Sequence, residues 1–224
     1  MSPPSRRSRK RPSGPSPGAS AAAGRIRIIG GTFRGRRLAV ADVAGLRPTG
    51  ERVRETLFNW LQPHLPGARC LDLFAGSGAL GIEALSRGAA HVTFVEPEAR
   101  ARTVLDAALA TLDAGPRGRT VRGTADAFLA SSDTPFDLVF VDPPFDLACQ
   151  ADVLAALAAA HLAPDARVYV EAPTRQPWPE TLPDGLELSR ERAFGEVTAR
   201  LIRKFRRDAP VDSRTIGTGT RGVA

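Results

Sequence analysis

Asp142-Pro143-Pro144-Phe145 sets a carboxylate, two prolines and an aromatic ring side by side, directly after the mainly apolar run Phe136–Val141. Proline cannot donate to a sheet ladder, so a buried strand running into Pro-Pro must end there. The last carboxylate, two backbone carbonyls and a ring are then presented together at a strand tip. This group suits a planar base bearing an amino group, the acceptors gripping the amine while the ring stacks on the face. Taken alone, the same four residues also describe a strand followed by a rigid turn.

A second constellation lies upstream, in Asp72-Leu73-Phe74-Ala75-Gly76-Ser77-Gly78-Ala79-Leu80-Gly81. Gly76, Gly78 and Gly81 satisfy G-x-G-x-x-G, so a dinucleotide site has to be weighed. Glycines at a helix start let backbone approach a ligand closely. Asp72 discriminates, because a carboxylate heading the loop repels a pyrophosphate and suits a ligand with an ammonium group. S-adenosylmethionine carries an ammonium and a sulfonium and no phosphate. The contacts expected from this loop are Asp72, Phe74, Ala75, Gly76, Ser77 and Gly78. Glu96 ends the next strand, where an acid can accept both ribose hydroxyls, a role shared by nicotinamide and S-adenosylmethionine sites. Glu98 stands in the first turn of the following helix, where it stabilises the positive dipole end. Gly123-Thr124-Ala125-Asp126 ends a third strand, where an adenine ring would lie. Ala125 and Asp126 are candidates there, although Asp126 also reads as a plain helix start.

The elements that must hold these groups follow from hydrophobic period and turn residues. Arg25–Val40 reads as a hairpin: Ile26, Ile28 and Ile29, then a Gly30-Gly31 turn, then Thr32–Val40 as a second strand carrying Arg34, Arg36 and Arg37. Over Glu51–Leu61, Val53, Leu57, Trp60 and Leu61 recur at helical spacing, with Thr49 as the expected N-cap. From Ala68 onward, strands (Cys70–Phe74, His91–Val95, Thr120–Arg122, Phe136–Val141, Arg167–Glu171) alternate with helices (Ala79–Arg87, Glu98–Leu112, Ala125–Ala130, Ala148–Leu162). Leu186–Arg192 and Val197–Phe205 form a closing antiparallel pair. This alternation predicts an α/β fold with a mostly parallel, doubly wound sheet. The expected organisation is a basic disordered tail over 1–24, a hairpin and helix over 25–66, a catalytic domain over 67–206 and a disordered tail over 207–224.

Composition narrows the partners. The net charge of +7 is unevenly spread: residues 1–24 carry +5 with no acid, residues 25–54 carry eight arginines against two acids, and the remainder is −4. Such a localised basic quarter points to a polyanion, with nucleic acid favoured over merely solvated charge. No apolar run approaches the roughly 20 residues needed to span a bilayer. Residues 1–24 have the arginine and serine of a transit peptide, but repeated proline spoils the amphipathic helix, so a cytoplasmic protein is expected. Cys70 and Cys149 form no C-x-x-C and read as buried free thiols. His64, His91 and His161 cluster with nothing, and no ligand set suggests a metal.

These residues together resemble the bacterial 16S rRNA guanine-N2 methyltransferase family that modifies guanine 966. The resemblance runs from about Arg25 to Arg203. It rests on Arg27-Ile28-Ile29-Gly30-Gly31 with Arg34-Gly35-Arg36, on Leu46-Arg47-Pro48-Thr49 with Arg52 to Leu61, on Leu71-Asp72 with Phe74 to Gly81, on Glu83 to Arg87 and on Val141 to Phe145. The glycine loop and D-P-P-F are shared by many amino-directed methyltransferases, whereas R-P-T followed by R-V-R-E-T-L-F-N-W-L is far more specific. The chain departs from the pattern at Thr124, where relatives often carry Asp or Asn, and at Ala199, where a tyrosine is familiar.

The resemblance implies a Rossmann-like, class I S-adenosylmethionine-dependent methyltransferase with a seven-stranded sheet and an N-terminal β-hairpin extension that helps grip rRNA. It implies a partly assembled small subunit as substrate; a monomeric enzyme is expected. Asp142, Pro143, Pro144 and Phe145 would then be the catalytic group, and Arg34, Arg36, Arg37, Arg47, Arg52 and Arg54 would bind phosphates. Competing readings are a DNA adenine or cytosine amino-methyltransferase, a nicotinamide-dependent oxidoreductase and a noncatalytic RNA-binding assembly factor.

Overall fold

A computed structural model of the chain describes residues 24–41 and 50–205. The expected tails, Arg47 and Thr49 lie outside these described residues. The elements run β1 (Arg25–Arg27), β2 (Arg37–Ala39), α1 (Glu51–Leu61), β3 (Arg69–Asp72), α2 (Ala79–Ser86), β4 (His91–Val95), α3 (Ala99–Thr111), β5 (Gly118–Val121), α4 (Ala125–Ser131), β6 (Phe136–Val141), α5 (Gln150–Ala156), β7 (Leu162–Pro173), β8 (Leu186–Phe194) and β9 (Val197–Lys204).

Seven strands form one sheet in the order β5-β4-β3-β6-β7-β9-β8, parallel except where β9 runs against both of its neighbours. The chain moves outward from β3 to β5 and then returns to place β6 on the other side of β3. That reversal opens a crevice beyond the carboxyl ends of the central strands, the usual ligand position in open α/β sheets. Leu71, Leu138, Val139, Phe140, Val168 and Val170 are fully buried, as both faces of a parallel sheet require. Among the described residues, no helix is long and apolar enough to cross a membrane.

α1 packs Val53, Leu57, Phe58 and Leu61 onto one face of the sheet, with the Phe58 and Phe140 rings 6.0 Å apart. Phe58 takes the core position that spacing assigned to Trp60, which is only half-buried. The helix starts after Gly50 with no side-chain cap. Arm, α1 and sheet share one hydrophobic cluster containing Ile28, Phe33, Leu38, Leu57, Phe94 and Phe140.

The arm differs from the predicted hairpin. Only three residues pair on each side, Arg25 to Arg27 against Arg37 to Ala39. The intervening backbone is claimed by α2: Ile29 and Gly30 donate to the Glu83 carboxylate at 2.8 Å each, and Phe33 donates to Ser86 Oγ at 2.9 Å. Thr32 and Phe33 give their donors to α2, and Arg34 and Arg36 close turns onto the Gly31 and Phe33 carbonyls, so the second strand starts only at Arg37. Gly31 is required here, with φ of +76° and a Cβ that would sit 1.8 Å from the Ser86 carbonyl oxygen. The helix expected over Ala148–Leu162 ends earlier, passing through a π-type turn (Leu157–His161) into β7, which is longer than Arg167–Glu171 at both ends. Both cysteines are free; Cys70 is buried and Cys149 only half-buried.

Candidate active site

Four carboxylates collect at the carboxyl ends of four adjacent strands. Asp72 is the last residue of β3, Glu96 follows β4, Asp142 follows β6, and Glu171 lies in β7 one position past the Val141–Val170 pair. Asp72 is buried, and its Oδ2 accepts the Gly81 N–H at 2.9 Å, fixing the first turn of α2 against the strand end. Burial is the main cause of its pKa being pushed up to about 7; Asp142 and Glu96 add to the rise and the Gly81 N–H opposes it. Glu96 accepts Gly76 N–H through Oε2 and Glu98 N–H through Oε1, both at 2.8 Å. Arg102 clamps the same corner, donating to the Glu96 and Pro97 carbonyls.

The glycines divide their labour. Gly76 (φ +51°) and Gly78 (φ +75°) adopt left-handed backbone in the loop. A Cβ on Gly78 would meet Leu105 at 2.4 Å, and one on Gly81 would meet Phe94 at 2.2 Å. Gly78 and Gly81 are therefore demanded by packing of the loop and α2 against the protein itself. Gly76 combines its left-handed backbone with an N–H donated to Glu96. Ala75 and Ser77 are buried and Phe74 half-buried around it, and Ala75 donates to the Val95 carbonyl at 3.0 Å. Glu98 caps α3 by accepting Arg100 N–H at 3.2 Å, so its role is the helix start. Thr124 likewise caps α4, leaving Ala125 buried and Asp126 exposed in its first turn.

At the D-P-P-F turn, Asp142 is half-buried, Pro143 buried and Pro144 exposed. Leu147 donates to the Pro144 carbonyl at 3.0 Å, so that acceptor serves the turn, and the Pro143 carbonyl is the one left beside Asp142. Phe145 and Leu147 are 45% and 54% exposed, two of the large apolar side chains the fold leaves at its surface.

Glu171 and Tyr169 were missed by sequence reasoning. The Tyr169 hydroxyl donates to Glu171 Oε2 at 2.8 Å, both groups being buried. Burial, and secondarily Asp142, push Glu171 up to about 8, against the opposing Tyr169 hydrogen bond. The signal was available in Val168-Tyr169-Val170-Glu171, an acid at the tip of an apolar strand, as at Asp72 and Glu96.

The expected phosphate contacts separate. Arg34, Arg36, Arg37 and Arg52 are exposed. Arg54 is buried at 2%, with its guanidinium 3.6 Å from Glu83 and donating to the Arg27 carbonyl at 3.0 Å. It is a structural residue of α1 that holds the arm, and the phosphate role expected for it does not fit its position. Arg47 lies outside the described residues.

A carboxylate-rich crevice, with Asp72 held neutral-leaning by burial, fits a cationic ligand, whose charge would offset the mutual repulsion. Among the described residues no group of side chains could hold a metal ion. S-adenosylmethionine, a cation with no phosphate, suits this donor set; Asp72, Glu96 and the glycine loop are the residues that would hold it.

The chain matches the family model described as Conserved hypothetical protein 95 over residues 26–203. It is 49% identical to ribosomal RNA small subunit methyltransferase D of Escherichia coli K12 over 81% of this chain and 91% of that protein. Identity to the Haemophilus influenzae protein of the same name is 42%, over 80% and 94% of the two chains. A solved Escherichia coli structure described as a methyltransferase, yhhF, superposes with a TM-score of 0.75 at 49% identity, covering 81% of this chain and 99% of that one. The chain therefore belongs to the Conserved hypothetical protein 95 family, with close similarity to proteins named small-subunit ribosomal RNA methyltransferases.

Proposed function

We propose that this protein methylates the exocyclic N2 of guanine 966 in 16S rRNA, acting as a cytoplasmic monomer on the assembling small subunit. The observation that carries the chemistry is the half-buried Asp142 carboxylate beside the buried Pro143, with the exposed Phe145 ring two residues on, at the same sheet end as Asp72 and Glu96. S-adenosylmethionine supplies an electrophilic methyl group at this end, and the protein supplies position and electrostatics.

Guanine N2 is a poor nucleophile because its lone pair is delocalised into the ring. Asp142 and the Pro143 carbonyl accept its two N–H hydrogens, which concentrates density on nitrogen. Phe145 stacks on the base once it is extruded and holds it in line for transfer. As the new N–C bond forms, the methyl–sulfonium bond breaks with its electron pair going to sulfur, and the surplus proton leaves to Asp142 or water. Asp72, Phe74, Ala75, Gly76, Ser77 and Gly78 line the cofactor side with Glu96, and Ala125 and Asp126 border the adenine end. Arg34, Arg36, Arg37 and Arg52 bind phosphates, with Arg47 expected to join them, so association weakens steeply with salt.

The test is mass spectrometry of small-subunit rRNA from cells with and without the gene, followed by incubation of unmethylated subunits with purified protein and S-adenosylmethionine. N2-methylguanosine should vanish at 966 without the gene and return on incubation. An unchanged nucleoside profile, or methylation of DNA instead, would overturn the reading.

A further inference from the structure

A second feature of the same sheet end shares only Arg52 with the site above. The first turn of α1 and the tip of the β8–β9 hairpin enclose a shallow, open groove of about 380 Å³, lined by Arg52, Val53, Arg192, Ala193, Phe194 and Gly195. Sheet register fixes where it lies. Arg192 pairs with Ala199, which pairs with Glu171 of the carboxylate cluster, so Arg192 stands two strands from Glu171 in one row. At about 4.8 Å per strand this is roughly 10 Å. Phe194 pairs with Val197, which pairs with Pro173, one step further beyond the carboxyl ends.

The groove's chemistry is that of a nucleotide platform. Arg192 is exposed and its guanidinium lies 5.2 Å from the centroid of the half-buried Phe194 ring. Arg52 faces it across the groove, exposed on α1. An aromatic or guanidinium plane takes any base by stacking, and a second cation takes the phosphate. Glu51 and Glu196 flank the groove in sequence, which disfavours a bare anion and makes the apolar stacking face the more telling part.

The hairpin tip is also built to stay in place. Thr174 donates N–H to the Glu196 carbonyl at 2.7 Å and its hydroxyl to the Gly195 carbonyl at 3.2 Å. Behind it, Arg200 pairs with Glu191 at 2.6 Å and lies 4.2 Å over the Trp178 ring. A platform held this way loses little entropy when it binds.

We infer that this groove holds a nucleotide flanking the target guanine, its base stacked on the Phe194–Arg192 face and its phosphate paired with Arg52. The inference rests on the RNA-methylating reading of the neighbouring site, and it assigns the β8–β9 hairpin a role in positioning substrate beside the one expected of the hairpin and helix over 25–66. Contacts to neighbours of a flipped base are a general source of sequence context in base-modifying enzymes.

The test is steady-state methylation of small subunits from cells lacking the gene, with Arg192→Glu and Phe194→Leu compared to the unmutated protein. Both variants should raise KM for the subunit about tenfold while kcat stays within twofold and S-adenosylmethionine affinity is unchanged. Arg192→Lys keeps the charge without the guanidinium plane and should recover little of the loss, whereas Arg52→Gln should lower the salt slope of subunit binding by about one. Because Arg192 is exposed, its variants should unfold at the unmutated midpoint, which separates binding from folding. Variants that match the unmutated KM, or that lose kcat alone, would overturn the groove while leaving the methyltransferase reading intact. Failure of the unmutated protein to methylate would instead sink that reading.

Discussion

Arg54 lies 3.6 Å from Glu83, and both side chains are sealed from solvent, at 2% and 0% exposure. Glu83 also takes Arg87 Nε at 2.8 Å and the backbone N–H groups of Ile29 and Gly30. One carboxylate in the middle of α2 thus fastens the arm, α1 and the helix that opens with the cofactor loop. Removing one partner of such a pair leaves a buried charge uncompensated, which costs roughly 3–5 kcal/mol. Glu83→Ala strips Arg54 and two backbone donors of their acceptor and should cost stability of that order in chemical denaturation, Arg54→Ala should cost less because Arg87 still pairs with Glu83, and Arg34→Ala should stay within about 0.5 kcal/mol, as surface changes do. If Arg54→Ala weakened RNA binding with stability untouched, the structural assignment would be wrong.

The clustered carboxylates predict an unusual pH response. Asp72 and Glu171 are raised to about 7 and about 8, in both cases chiefly by burial. Groups raised above their unfolded values bind protons more tightly in the native state, so the stability they contribute is complete below about pH 4 and lost as pH climbs through 7 to 8. The free protein should therefore lose thermal stability between pH 5 and 8. A bound cation favours the ionised forms, so S-adenosylmethionine affinity should rise over the same interval, by up to about tenfold per pH unit for one linked proton. Calorimetry in buffers of different ionisation enthalpy should detect proton release on binding. Asp72→Asn should weaken binding and flatten its pH dependence. A pH-independent affinity in the unmutated protein would refute the coupling.

Much of this was legible in the chain, and the failures have physical causes. Strand ends announced by acids, glycines and prolines were found because each stops a ladder or bends it in a way side-chain type alone reveals. Asp142 and Asp72 stand where those signals put them. The arm was misread because its backbone partners are Glu83 and Ser86, more than fifty residues away, and no local pattern reports a long-range acceptor. Arg54 was misread for the same reason: an arginine between Val53 and Glu55 looks solvated until Glu83 is brought beneath it. Glu171 carried the same strand-tip signal as Asp72, but that β7 lies beside β6 and so brings it toward Asp142 is known only from the sheet order.

The glycine loop separates packing from ligand approach. Gly81 is close to Phe94 and Val92 of β4, and an added Cβ would stand 2.2 Å and 2.8 Å from their side chains. Overpacking of this kind costs about 1–3 kcal/mol. Gly81→Ala should be destabilised by that amount, and Gly81→Ala with Phe94→Leu should be less destabilised than the two single changes summed, because the second change vacates the space the first one needs. Strict additivity in chemical denaturation would show that the contact with Phe94 is not what demands glycine.

Phe145 offers the most direct test of the base clamp, because folding gives no reason for its exposure. At 45% exposed, on a turn beyond β6, the ring contributes little to the core, so Phe145→Ala should leave the thermal midpoint nearly unchanged. Base stacking on an aromatic ring is worth about 1–3 kcal/mol by alanine substitution. At 1.36 kcal/mol per decade, Phe145→Ala should therefore lower kcat/KM for the small subunit by roughly 5- to 150-fold. Phe145→Tyr keeps the π face and should retain most activity, while Phe145→Leu keeps apolar bulk without it and should fall close to alanine. S-adenosylmethionine affinity should be unmoved in all three, since the ring is expected to meet the base and not the cofactor. A leucine variant as active as the tyrosine variant would assign Phe145 to hydrophobic filling and remove stacking from the mechanism.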